Sequence, residues 1–163
     1  MILCDCFVPS AGSENQVHVF MDASAEAYAA VVYLTTGCGK NRKYNLIFSK
    51  SQLTPLQQKL TIPQLELMAA WIGVKAVEFV RNNVDVPVHE YYGWSDSKCL
   101  LGWLRTKHTV KLPVFVRNRA YNIKQSNLKF DYVPSASNPP DIATRGMKLK
   151  DFKDSDLWWH APS

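Results

Sequence analysis

Apolar positions along the chain follow two periods. Val17-His18-Val19-Phe20-Met21 is apolar apart from His18 and runs directly into Asp22. A short apolar run with two β-branched valines reads as a buried strand over 17–22. Strand alternation puts His18 opposite Val17 and Val19, so it is expected to be exposed. Ala27–Leu34 and Tyr44–Ser49 repeat the strand pattern. A turn at Ala23–Glu26 and a hairpin-type break at Thr36-Gly37-Cys38-Gly39-Lys40-Asn41 separate the three, which implies an antiparallel meander.

The period then changes. Thr61-Ile62-Pro63-Gln64 is a helix start, with Thr61 as N-cap, Gln64 closing a capping box and Pro63 tolerated in the first turn. Leu65, Met68, Ala69, Ile72, Ala76 and Phe79 keep helical spacing to about Arg81. Val88–Trp94 reads as the next strand, followed by Ser95-Asp96-Ser97 and a short helix, Lys98–Arg105. After a basic loop, Lys107–Pro113, come a helix over Val114–Gln125 and a strand over Leu128–Val133. Pro134–Pro140 is a loop, and Asp141–Arg145 opens another short helix. Strands first, then strand–helix alternation, describe an α/β fold with one mixed sheet flanked by helices. The expected division is an irregular lead-in over 1–16, a folded domain over 17–146 and a tail over 147–163 that packs on the domain or leaves it.

Composition narrows the class. With 163 residues, 47% apolar and 12% aromatic, the chain can bury one sizeable core. No apolar run approaches membrane-spanning length, and the N-terminus lacks a signal-peptide layout. Cys4, Cys6, Cys38 and Cys99 show no metal-finger spacing and read as reduced thiols, which points to a cytoplasmic, reducing setting. The net charge is +5, and its distribution matters more than its size: from Lys98 to Lys129 there are eight Lys/Arg and no Asp or Glu. These basic residues are interleaved with Trp103, Phe115 and Tyr121, a pattern that favours contact with nucleic acid. Trp158-Trp159 reads as an aromatic dock for the tail rather than a platform for bases.

The candidate chemistry lies in four acids. Asp22 and Asp96 each follow a strand, and strand-to-helix segments that run the same way place both at one edge of the sheet. Glu66 sits early in the long helix between Leu65 and Leu67, so it must lean out of the core or serve a site. Asp141 opens a helix, where the dipole favours a carboxylate. Each acid also has an ordinary reading, as turn former, first-turn acid or N-cap. Four carboxylates at one edge repel one another unless cations neutralise them. Carboxylates without Cys or His select hard ions such as Mg²⁺ or Mn²⁺, and two such ions suit in-line phosphoryl transfer.

Asp22-Ala23-Ser24, Leu65-Glu66-Leu67-Met68-Ala69, Trp94-Ser95-Asp96-Ser97 and Asn138-Pro139-Pro140-Asp141-Ile142-Ala143-Thr144-Arg145-Gly146 together resemble the ribonuclease H domain of retroelement polyproteins. The wording of Leu60-Thr61-Ile62-Pro63-Gln64-Leu65-Glu66-Leu67 and of Ala143-Thr144-Arg145-Gly146 is most similar to BEL/Pao-type retrotransposons. The resemblance spans about residues 17–160 and implies a ribonuclease H-like, mixed five-stranded sheet, three antiparallel strands then two parallel. It implies an endonuclease that cuts the RNA strand of RNA/DNA hybrids with two Mg²⁺ or Mn²⁺ ions. Asp22, Glu66, Asp96 and Asp141 would be both the catalytic residues and the metal ligands, with Asp22 bridging the ions. Substrate contacts would come from Ser24, Thr61, Ser97, Lys107, His108, Lys111, Arg117, Arg119, Asn138 and Arg145. A reverse transcriptase domain on the same polyprotein would be the partner, in a cytoplasmic or virus-like-particle context.

Two features depart from cellular members of the superfamily. Those carry a His shortly before the fourth acid, whereas here no His lies between His108 and His160. The interval from Asp96 to Asp141 is also short, leaving little room for an extra basic helix. The alternative on the same fold is a non-catalytic nucleic-acid-binding or polymerase-supporting module.

Overall fold

The computed structural model describes residues 15–37, 42–57 and 59–162. The expected lead-in before residue 15, the hairpin break over 38–41, and Cys4, Cys6 and Cys38 lie outside the described residues. The first half of the chain forms β1 (Gln16–Ala23), β2 (Ala27–Thr36), β3 (Lys43–Leu53) and α1 (Ile62–Asn83). Then follow β4 (Glu90–Ser95), α2 (Lys98–Arg105), α3 (Val114–Lys124) and β5 (Lys129–Tyr132). Three one-turn helices end it: α4 (Asp141–Arg145), α5 (Leu149–Lys153) and α6 (Asp156–His160).

The strands form one sheet in the order β3-β2-β1-β4-β5. β1 pairs antiparallel with β2, and β2 with β3, while the β1–β4 and β4–β5 pairs are parallel. This is the mixed five-stranded arrangement that the resemblance implies. β1 is central and buried on both faces. Val17, Val19 and Met21 join the core under α1, and Phe20 joins a second cluster on the other face with Val31, Tyr33 and Trp158. The parallel register sets Met21 against Ser95. Asp22 and Asp96 therefore occupy the next position of adjacent strands.

At the start of α1 the Thr61 N–H donates to Gln64 Oε1 at 2.9 Å, the reach-back half of a capping box. The helix buries more than the expected stripe. Leu67, Val74 and Val77 are buried too, while Phe79 is 41% exposed. The cause is that α1 packs against the sheet on one side and against α2 and α3 on others. At Gly73 an added Cβ would stand 2.9 Å from Met21 Cγ and 3.3 Å from Val19 Cγ2. The missing side chain lets α1 lie directly on β1.

One expectation fails: His18 is buried, not exposed. Alternation predicts exposure only where one face of a sheet is wet, and here rings from neighbouring strands cover it. His18 stacks on Tyr92 at 5.0 Å and meets Tyr44 edge-on, and its Nδ1 accepts from Trp94 Nε1 at 3.0 Å. Burial, with the Arg42 charge second, pushes its pKa down to about 4. In the tail, Trp158 is buried and the Tyr33 hydroxyl donates to its carbonyl at 2.6 Å, which fastens α6 to β2. Trp159 stays 40% exposed. Among the described residues no helix is long and apolar enough to cross a membrane.

Candidate metal centre

Asp22 closes β1, Asp96 follows β4, and Glu66 comes from the first turns of α1. One carboxylate oxygen from each lies within 4.8 Å of the other two. Around an octahedral Mg²⁺ with bonds of about 2.1 Å, neighbouring ligands stand roughly 3 Å apart and opposite ones roughly 4.2 Å, so side-chain rotation would have to draw these oxygens together to share an ion. The group holds no His or Cys. An all-carboxylate set fits a hard divalent cation and not zinc.

The environment of the acids supports that fit. Glu66 is buried between Leu65 and Leu67, and its Oε2 has no hydrogen-bond partner among the described residues. A buried, unpaired carboxylate oxygen is costly and calls for a cation or a proton. Burial, then the charges of Asp22 and Asp96, push the Glu66 pKa up to about 9, against a smaller opposing hydrogen bond from the Ala23 backbone. Burial likewise raises Asp22 to about 6 despite the Thr144 hydroxyl that donates to its Oδ2. Ser135 donates its hydroxyl to Asp96 Oδ2.

Asp141 does not join the three. It opens α4, and its Oδ1 accepts from Arg145 Nε at 2.5 Å, although its charge still acts on Asp22. The polar residues around the acids build the scaffold. Asn138 is fully buried and its Nδ2 donates to the Met21 carbonyl at 3.0 Å, clamping the end of β1. Ser24 donates to the Thr144 carbonyl at 2.9 Å, joining the β1–β2 turn to α4. Ser97 accepts from the Leu100 N–H at 3.2 Å as the N-cap of α2, and Thr61 does its capping work at α1. Sequence reasoning assigned no role to Thr144 or Ser135. Thr144 lies inside the Ala-Thr-Arg-Gly wording, whereas nothing in the sequence marks Ser135.

The basic stretch divides. Arg105 pairs with Asp131, Lys129 with Glu90, and Lys124 donates to the Thr106 carbonyl. The Arg119 guanidinium lies 3.7 Å over the Phe115 ring, and Lys98 faces Tyr132. Lys107, His108 and Lys111 are exposed beyond α2, and Arg117 lines a groove of about 530 Å³ on α3 with Asn118, Tyr121 and Asn122.

Sheet order, central strand and converging acids together define a ribonuclease H-like fold. The N-terminal RNase H domain of Rv2228c from Mycobacterium tuberculosis, solved as a fusion with maltose binding protein, is similar with a TM-score of 0.54 at 15% identity. That likeness covers 86% of this chain and 99% of that one. RNase H1 from the archaeon Halobacterium salinarum NRC-1 gives a TM-score of 0.47 at 18% identity, covering 76% of this chain and 89% of its own. LC11-RNase H1 in complex with RNA/DNA hybrid gives 0.47 at 16%, covering 76% and 88%. Compared with curated proteins, the sequence matches none. Residues 6–97 match the model of the Pao retrotransposon-like RNaseH-like domain, more than half of the chain, and the chain belongs to that family.

Proposed function

We propose that this domain is a divalent-metal-dependent ribonuclease H that hydrolyses the RNA strand of an RNA/DNA hybrid. One observation carries the reading: on a ribonuclease H fold, three carboxylates from separate elements converge within 4.8 Å, with a buried Glu66 oxygen that no described group satisfies. Asp22, Glu66 and Asp96 would hold Mg²⁺ or Mn²⁺, and Asp141 would complete the set for a second ion. Ions held there supply a water of lowered pKa and a Lewis acid for the departing 3′ oxygen.

The chain's own residues supply position and field. The Thr144 and Ser135 hydroxyls orient two of the carboxylates, and Asn138 fixes the end of the strand that carries Asp22. Glu66 gives up its proton when a cation takes its place. Lys107, His108, Lys111, Arg117, Arg119 and Arg145 would meet backbone phosphates, while groups near Ser24, Thr61 and Ser97 would read the 2′-hydroxyl that separates RNA from DNA. A reverse transcriptase domain on the same polyprotein would be the natural partner, in a cytoplasmic, particle-associated setting.

The test is a labelled RNA/DNA hybrid incubated with the protein and Mg²⁺ or Mn²⁺. Wild type should release products with 5′-phosphate and 3′-hydroxyl ends, and Asp96→Asn should release none. No cleavage by wild type, or undiminished cleavage by the variant, would sink the proposal. A non-catalytic hybrid binder is the rival, but clustered buried negative charge only weakens the binding of a polyanion.

A further inference from the structure

Three of the four acids have a side-chain partner, and the partners are not alike. Asp22 and Asp96 each accept from a neutral hydroxyl, Thr144 and Ser135. Asp141 is held by a full positive charge, one turn further along α4. A hydroxyl leaves the carboxylate its charge and its remaining lone pairs, so an ion can bind beside it. A guanidinium neutralises the carboxylate and repels an incoming cation. Arg145 directly follows Thr144, whose hydroxyl donates to Asp22 Oδ2, so its backbone is anchored beside the acidic cluster rather than on a remote face. Its side chain is 72% exposed, against 33% for Asp141, so the guanidinium can leave without unpacking the core.

We propose that Arg145 is the resident cation of the Asp141 position and makes the two ion positions unequal. The Asp22–Glu66–Asp96 position fills first, and Asp141 accepts an ion only as Arg145 leaves it for a phosphate of the bound nucleic acid. Arg145 can have this role only if the acids are metal ligands, as read above. Exposed pairs spaced i,i+4 are weak, so a phosphate competes well for the guanidinium, whose planar fork matches phosphate geometry. The second ion would then arrive with the substrate.

The experiment is a Mn²⁺ titration of the whole chain, free Mn²⁺ being read by electron paramagnetic resonance. It is run alone and with a 2′-O-methyl RNA/DNA hybrid that cannot be cleaved. In the wild type without hybrid, one ion should bind tightly and a second at least about fivefold more weakly, the effect of a nearby unit charge on a divalent ion in water. Arg145→Gln should tighten the second ion by about fivefold and leave the first within about twofold. Arg145→Lys, which keeps the charge, should keep most of the inequality. Asp141→Asn should lose the second ion and make Arg145→Gln silent. The uncleavable hybrid should tighten the second ion in the wild type and add little in Arg145→Gln. Equal affinities in the wild type, or a second ion indifferent to Arg145→Gln, would overturn the role of Arg145 alone. A wild type that binds no Mn²⁺ with or without hybrid would overturn the metal-centre reading as well.

Discussion

His18 and Asp22 stand four residues apart on β1, on one face of the sheet, and both are buried ionisable groups. Around His18 the burial is satisfied: Trp94 donates to one ring nitrogen, Gln16 lies 3.4 Å from the other, and aromatic rings flank it. The imidazole stays neutral and holds the sheet together. Around Asp22 a single side-chain donor, the Thr144 hydroxyl, answers the burial, while the Glu66 and Asp96 carboxyl groups crowd within 4.8 Å. Burial alone therefore does not mark a site. Carboxyl groups crowded together at a buried edge, with too few donors to settle them, do.

The strongest way to break the contrast is to neutralise each end in turn. Asp22→Asn should lower hybrid cleavage by at least about a hundred- to a thousandfold, the scale seen when a group that stabilises transition-state charge is removed. The fold should survive, because the change removes repulsion. His18→Ala should do the reverse. It should cost about 2–3 kcal/mol of stability in a denaturant melt, from the lost ring packing and the stranded Trp94 donor. Its cleavage per folded molecule should match the wild type. A stable His18→Ala with reduced cleavage would erase the distinction.

How much of this was legible in the sequence follows the same divide. Strand positions, the ends of α2 and α4, and the three acids that converge, Asp22, Glu66 and Asp96, could be read from periodicity and from short motifs, because those signals are local. The burial of His18 was not legible, since it depends on Tyr44 and Tyr92 from two other strands. Nor was the start of β4 at Glu90 rather than Val88; there the His89 N–H bonds to the Asn15 carbonyl, a contact across the fold. α5 and α6 are single turns without a sustained period, so the tail showed only its tryptophans. At the site, the Arg145–Asp141 pair lies within one helical turn yet went unread, because i,i+4 charge pairs are common and usually mean little.

His18 on β1 and Glu66 on α1 should also respond to pH with opposite signs in the metal-free protein. His18 falls from 6.5 to about 4 on folding, so the folded state binds fewer protons and stability rises with pH across that window. Glu66 rises from 4.5 to about 9, so the folded state binds more protons and stability falls with pH between those values. Thermal melts above pH 6.5 should therefore show a decline, at most about 1.4 kcal/mol per pH unit for one proton. Glu66→Gln should flatten it, and so should saturating Mg²⁺ or Mn²⁺. A wild type whose metal-free stability climbs from pH 6.5 to pH 8.5 would contradict the picture of the acid end.

The smallest effects belong to the exposed cations. Lys107→Ala and Lys111→Ala should each lower the salt-dependence slope of hybrid binding by about one, with under about 1 kcal/mol lost at moderate salt and no change in melting. An unchanged slope would remove that loop from the binding surface.

Gly73 has a consequence beyond packing. It lies seven residues, or about 10 Å along the helix axis, from Glu66, and seven residues is close to two full turns. The same side of α1 thus carries the contact point on β1 and the acid of the site. The helix works as a beam resting on a fulcrum: a methyl group at position 73 would lift it off Met21 and tip its far end, and Glu66 with it. Residue 73 is in this sense a ruler for the metal centre, setting from a distance how closely one carboxylate approaches the other two.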